Sequence, residues 1–178
     1  SSVSATPLIA HVVFRLDVGG LENGLVNVIN GLPDGRYRHA IICIKDYTHF
    51  SERIRPNVQL MALRRPEGKD PGLYFKLWRV FRRLKPDLVH TRNLATLEAQ
   101  LPAWLAGIPC RIHGEHGWDM ADPDGTSKKY RWLRAAFRPL VHRYISLSRH
   151  IAHYLSDSVG VSQDRITTIC NGVDSERF

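Results

Sequence analysis

With 178 residues, 43% of them apolar and 24% charged, the chain has the size and composition of one globular domain able to bury its own core. That excludes an intrinsically disordered chain and a mini-protein that needs disulfide staples. A formal net charge of +8 points to a nucleic acid, an anionic lipid or a phosphorylated substrate without choosing among them. Three cysteines, Cys43, Cys110 and Cys170, are odd in number and each sits in an apolar strand-like run, which suits buried thiols in a reducing compartment. The first twenty residues lack a basic start and a small-residue cleavage site, and no apolar run approaches the ~20 residues of a membrane span. The expectation is a cytoplasmic protein, with a basic surface that can meet the inner face of the membrane.

The first apolar run, residues 8–14, reads as a strand interrupted by His11. It leads into Arg15-Leu16-Asp17-Val18-Gly19-Gly20-Leu21-Glu22, where a helix is expected over 20–31. Two glycines at a strand-to-helix turn let the backbone approach a ligand, and free amides with the helix dipole favour a phosphate there. Gly19 and Gly20 are therefore candidate diphosphate contacts, and Glu22 a candidate substrate contact. The spacing is not the dinucleotide fingerprint, because Asn23 stands where the third glycine belongs and Gly24 comes one residue late. A tight turn followed by a dipole-favourable glutamate is the competing structural reading.

Strands are expected next at 39–44 and 58–62, with a weak helix at 50–55 between them, and then a helix at 71–85. That helix sets Tyr74, Phe75, Leu77, Trp78 and Phe81 among Lys76, Arg79, Arg82, Arg83 and Lys85, a pattern that suits either an outer helix on a sheet or an anionic membrane surface. Lys85-Pro86-Asp87 ends it and opens a strand at 87–91. At the end of that strand, Val89-His90-Thr91-Arg92-Asn93 brings a guanidinium that can fork onto phosphate and an Asn93 that reads first as the N-cap of the next helix. His90, on the strand itself, reads as a satisfied core histidine.

A helix follows at 95–106, closed by Gly107-Ile108-Pro109 with the glycine at the C-terminal cap, and then a strand at 110–115. Arg111-Ile112-His113-Gly114-Glu115-His116-Gly117-Trp118-Asp119 holds the densest group of titratable side chains in the chain. His113 and His116 are three apart, but the segment reads as strand and loop rather than one helical face, which argues against zinc. Beyond the Asp-, Gly- and Pro-rich stretch 120–127 come a second basic, aromatic helix at 127–141, a strand at 143–147, a helix at 149–159 and a strand at 166–170. This alternation implies an α/β fold, a Rossmann-like parallel sheet with helices on both faces, whose ligands bind outside the carboxyl ends of the strands.

In order and spacing these segments resemble the retaining family-4 glycosyltransferases, whose GT-B fold sets two Rossmann-like domains across a cleft. The resemblance rests on Gly19-Gly20-Leu21-Glu22 after the first strand, Lys85-Pro86-Asp87-Leu88-Val89-His90, Gly107-Ile108-Pro109 leading to His116-Gly117, and Ile169-Cys170-Asn171-Gly172-Val173-Asp174, which is similar to the family's hinge. His113-Gly114-Glu115-His116-Gly117 also looks like a subgroup associated with bacterial exopolysaccharide and exosortase gene clusters. The resemblance implies an N-terminal, acceptor-side domain over 1–170, with 171–178 entering a hinge to a donor domain beyond, and a fragment inactive by itself.

It implies Gly19, Gly20 and Arg92 beside the donor diphosphate and His116 at the reaction centre. Glu22, Asn93, His113, Trp118 and Asp119 would contact substrate, with His113 the rival of His116. A nucleotide-sugar donor and a glycan or lipid-linked acceptor follow, with no metal and no other cofactor. A stand-alone nucleotide- or phosphate-binding regulatory module is the alternative. A nucleic-acid-binding domain would also match the charge, but no named module supports it.

Overall fold

A computed structural model describes residues 6–14, 37–45, 58–64, 70–115, 127–146 and 148–168. Seven strands, β1 (Leu8–Val13), β2 (Arg38–Cys43), β3 (Gln59–Ala62), β4 (Leu88–Arg92), β5 (Cys110–Glu115), β6 (Arg143–Ser146) and β7 (Ile166–Thr168), form one sheet in the order β3-β2-β1-β4-β5-β6-β7. Every pairing is parallel. The strands are short, and β1 and β2, inside the sheet, are mostly apolar and buried, as interior parallel strands are.

Strand order reverses between β1 and β4, so connections step outward in opposite directions from that point. The four connections from β3 to β7 all step the same way, and right-handed crossovers send them to one face. They carry α1 (Gly72–Leu84), α2 (Asn93–Leu97), α3 (Gln100–Leu105), α4 (Lys128–Phe137) and α5 (Arg149–His153). The connections that step the other way, with the helices expected at 20–31 and 50–55, lie outside the described residues.

Alternation along the strands sorts the residues between faces. Ala10, Val12, Ile42 and Val89 face the helices and pack with Leu73, Leu77 and Phe81 of α1, Ala103 of α3 and Ile108. Full burial of Leu77 and Phe81 contributes about 2–3 kcal/mol each. A second cluster joins Val141 and Tyr144 to Ile151, Leu155, Val159 and Val161. His11, Val13, His39, Ile41 and Cys43, of opposite parity, are buried on the other face.

Strand positions agree with the sequence expectation to within one or two residues, and Gly107 takes the left-handed conformation expected of a helix cap (φ 81°). Three helices depart from it, each for a local reason. The helix expected at 95–106 is two, α2 and α3, because Pro102 has no N–H and its ring clashes with the carbonyl four residues back, so it is accommodated only in the first turn of a new helix. The helix expected at 127–141 ends at Phe137 and becomes a 3₁₀ turn, Arg138–Leu140, around Pro139. The last, expected at 149–159, is α-helical only to His153 and continues as a π-helical turn, Tyr154–Val159, closed by left-handed Gly160. Cys43 is buried and Cys110 half-buried, both as free thiols.

Candidate functional site

The carboxyl ends of β1, β4 and β5 open at one edge, beside the point where strand order reverses. In open α/β sheets that crevice is where ligands bind. Arg92 ends β4 there in an extended conformation (φ −136°, ψ 124°), and its backbone is clamped from α2. Its N–H donates to Thr96 Oγ1 at 2.7 Å, and the Thr96 hydroxyl donates back to its carbonyl at 2.7 Å.

Asn93 is not the expected side-chain cap: Arg92 holds the cap position without a side-chain cap bond, and Asn93 is the first residue of α2. It is buried in the left-handed region (φ 59°), which asparagine tolerates better than most residues. The sharp corner it makes turns the chain from strand to helix at the lip of the crevice.

At the end of β5 the titratable cluster proves to be interior. His113 is completely buried, with both ring nitrogens engaged: Nδ1 lies 2.7 Å from Thr91 Oγ1 and Nε2 lies 2.8 Å from Glu115 Oε1. Gln100 Nε2 donates to Thr91 Oγ1 at 2.8 Å and to the Ile112 carbonyl at 3.1 Å. Arg134 of α4 donates to both Glu115 oxygens, from Nε at 3.2 Å and from Nη2 at 3.4 Å, and its Nη1 donates to the Tyr154 hydroxyl at 3.1 Å. With the proton on Nε2 of His113, every bond in the series Gln100, Thr91, His113, Glu115, Arg134 has a donor and an acceptor.

Burial opposes ionisation of Glu115, but the His113 bond and the Arg134 guanidinium outweigh it and hold its carboxyl below the usual range. Tyr144 packs edge-on to His113 with ring centres 6.1 Å apart, and burial pushes its phenol up to about 12. The network fixes the last residues of β5, directly before His116.

On the opposite face three histidines from adjacent strands meet. His11 Nε2 lies 3.1 Å from His39 Nδ1, and His11 Nδ1 lies 3.2 Å from His90 Nδ1. Burial first, then the neighbouring His39 and Arg92, push His11 down to about 3. His90 is thus a half-buried member of an internal cluster, as expected for a core histidine. Reading the sequence missed His11 and His39 as its partners. Their signal, a histidine inside each of two apolar strands, becomes informative only once the sheet order is known.

Of the predicted site residues, the structure brings Arg92 and Asn93 to the crevice and seals His113 inside, where it offers no free ring nitrogen to a substrate. Gly19, Gly20, Glu22, His116, Trp118 and Asp119 lie outside the described residues, as do the loop at 120–126 and the hinge motif. Arg134, one of the basic residues of the helix expected at 127–141, is buried and paired.

The family profile of Glycosyltransferase Family 4 matches residues 18–177. The chain is 27% identical over 184 aligned residues to the UDP-Gal:alpha-D-GlcNAc-diphosphoundecaprenol alpha-1,3-galactosyltransferase of Escherichia coli, a match that covers 96% of this chain and 46% of the enzyme. The fold superposes on a glycosyltransferase from Rickettsia africae with a TM-score of 0.71 at 16% identity, covering 94% of this chain and 43% of that one. It also superposes on Anabaena HepE, solved with UDP and glucose, with a TM-score of 0.66 at 19% identity, covering 94% and 45%. The chain therefore spans just under half the length of these relatives. From the profile that matches nearly all of it and a sheet of the same architecture, the chain belongs to Glycosyltransferase Family 4.

Proposed function

We propose that this chain is the N-terminal, acceptor-side half of a retaining, nucleotide-sugar-dependent glycosyltransferase that transfers a hexose to a glycan or lipid-linked acceptor. In this reading residues 1–170 form the half-site and 171–178 enter the hinge to a donor-binding domain. The observation that carries it is that β1, β4 and β5 lie side by side and parallel, so their carboxyl ends meet at one crevice: β4 ends there at Arg92 and Asn93, and in sequence Gly19-Gly20-Leu21-Glu22 follows β1 and His116-Gly117 follows β5. The printed names of the relatives, one a UDP-Gal enzyme with a diphosphoundecaprenol acceptor and one crystallised with UDP and glucose, support a uridine-diphosphate sugar and a lipid diphosphate as the partners to try first. The enzyme would work at the cytoplasmic face of the membrane, in assembly of an exported polysaccharide.

Departure of a nucleoside diphosphate needs its developing charge stabilised in a preorganised site. Backbone amides at Gly19 and Gly20 and the Arg92 guanidinium would contribute from this half, with no metal required. The acceptor hydroxyl would attack on the face from which the diphosphate leaves, while His116 holds the transferred sugar and Glu22, Asn93, Trp118 and Asp119 line the acceptor side. His113 would act from behind, by fixing the end of β5.

Steady-state kinetics of the full-length polypeptide test the assignment. His116→Ala is expected to lower kcat by roughly 10²-fold with little change in donor KM, as for other polar groups that act in the transition state. Gly20→Leu should instead raise donor KM, because a side chain obstructs the approach of the diphosphate to the amides. A near-normal kcat for His116→Ala, or an unchanged donor KM for Gly20→Leu, overturns the corresponding role. Turnover by the 178-residue chain alone would refute the division of labour between halves.

A further inference from the structure

Four of the six large apolar side chains that are markedly exposed among the described residues lie on the helical layer: Phe75 (59%), Trp104 (49%), Leu105 (59%) and Trp132 (73%). They belong to α1, α3 and α4, which cover the same face of the sheet. Between α1 and α3 runs an apolar groove of about 540 Å³, lined by Tyr74, Phe75, Trp78, Leu101, Pro102 and Leu105. A monomeric protein has no packing reason to keep such a surface in water.

The charge around the groove says what covers it. Helix α1, which walls the groove, contains no Asp or Glu and carries Lys76, Arg79, Arg82 and Arg83, with Lys76 3.7 Å from Asp70 just before the helix; α4, elsewhere on the same layer, likewise has no acidic residue and carries Lys128, Lys129 and Arg131 besides the buried Arg134. Along one flank of α1 the aromatic and basic groups are paired. Phe75 and Trp78 stack with ring centres 5.8 Å apart, the Arg79 guanidinium lies 5.8 Å from the Phe75 ring centre, and Arg82 lies 5.9 Å from that of Trp78. Each arginine is exposed and holds its guanidinium by a ring, so the apolar and cationic groups present together. Aromatic rings level with a ring of basic side chains match the boundary between acyl chains and anionic headgroups. A second copy of this basic face would set like charges against each other. Among the described residues no helix is long and apolar enough to cross a membrane, so this face would dock without spanning.

We infer that the α1–α3 groove, with the basic flank of α1 along it, is a docking surface for an anionic phospholipid bilayer. It deepens the membrane location in the function proposed above and rests on that reading only for where the enzyme works. The groove residues stand on the helical layer rather than in the crevice, so docking and sugar transfer are separable.

Flotation of the purified protein with vesicles, without sugar donor, tests it. Binding is expected to phosphatidylcholine vesicles containing 30% phosphatidylglycerol and not to phosphatidylcholine alone, and to weaken as salt rises. One basic residue near an anionic leaflet strengthens binding roughly fivefold. Arg79→Gln/Arg82→Gln should therefore weaken it on the order of 20-fold, while Arg38→Gln/Arg143→Gln, the same charge change on exposed residues at the amino ends of β2 and β6 and outside the groove, leaves it within about twofold. Phe75→Ser/Leu105→Ser should weaken it as well, at unchanged net charge, with circular dichroism and thermal melting confirming that each variant is folded. Equal binding to both vesicles, binding to neither, or equal loss from the two charge pairs overturns the assignment. So does a concentration-dependent dimer that Leu105→Ser abolishes, since a second copy would then cover the groove. Failure of the kinetic test above with vesicle binding intact would remove the catalytic reading and leave the surface.

Discussion

The two faces of the sheet each bury a histidine-centred polar array, and they solve the problem of burial in opposite ways. On the helical face His113 is tied to a carboxylate that is itself tied to Arg134, so charge is kept and compensated. On the other face His11 has two histidines for neighbours and Arg92 nearby, and its environment disfavours the charged ring until about pH 3. Burial is common to both, so it is the partner that decides whether a buried group stays ionised. Strand β4 lies between the two arrays, with Thr91 facing one and His90 and Arg92 the other.

The largest effect is expected from breaking the compensated array. Arg134→Met leaves the Glu115 carboxylate buried without its cation, which should cost about 3–5 kcal/mol. Glu115→Gln/Arg134→Met removes both charges and should recover a good part of that loss. Urea unfolding of the single and double variants measures the difference. A loss under about 1 kcal/mol for Arg134→Met would mean that the pair is solvated and the contrast between faces is false.

A smaller effect separates the arrays by pH. Above 6.5, the ordinary histidine value, His11 is uncharged in both folded and unfolded chains. Below it the unfolded chain takes up a proton that the folded one refuses until about pH 3, so stability falls as pH drops through that window, by at most about 1.4 kcal/mol per pH unit. Glu115 enters later. Its folded pKa lies below the ordinary 4.5, so its contribution is intact above 4.5 and is lost only as pH falls through the folded value. His142, held down by burial and by Arg111 and Arg165, adds to the first slope, weakly because it is exposed. Denaturation midpoints between pH 7.5 and 4.5 should decline less for His11→Gln than for the parent protein, and as steeply for Glu115→Gln as for the parent. Equal slopes for His11→Gln and parent would assign the acid sensitivity to other groups.

The same contrast explains how much could be read in advance. Strand positions, the β/α alternation and the stop at Gly107 follow from local patterns of apolar spacing, glycine and proline, and the structure agrees with them. The breaks at Pro102 and Pro139 were written in the sequence too, as prolines inside helical periodicity. What stayed hidden were contacts between distant segments. Arg134 looked like its basic neighbours on α4, because only the fold sets it 3.2 Å from a carboxylate nineteen residues earlier. Likewise, His113 looked as accessible as His116 until the register of β5 against β4 turned it toward Thr91. Short segments rich in titratable groups announce that something polar is built there, without saying which groups face a ligand.

The smallest expected effect concerns the junction between the arrays. Arg92 has its side chain on the histidine face, close enough to depress His11, while its backbone is held from the helical layer by Thr96. Thr96→Val keeps the shape but removes the hydroxyl, leaving the Arg92 N–H without that acceptor and its carbonyl without that donor. The cost should be about 1–2 kcal/mol. Thr96→Ser, which retains both bonds, should lose less than Thr96→Val. Substitution of the next residue separates backbone geometry from hydrogen bonding. Asn93→Gly fits the left-handed corner at φ 59° and should be nearly neutral, whereas Asn93→Val forces a β-branched residue into a region it avoids and should cost more than Thr96→Val. If Thr96→Val and Thr96→Ser unfold at the same urea concentration, the hydroxyl is not what holds β4 to α2, and the two arrays are coupled, if at all, through packing alone.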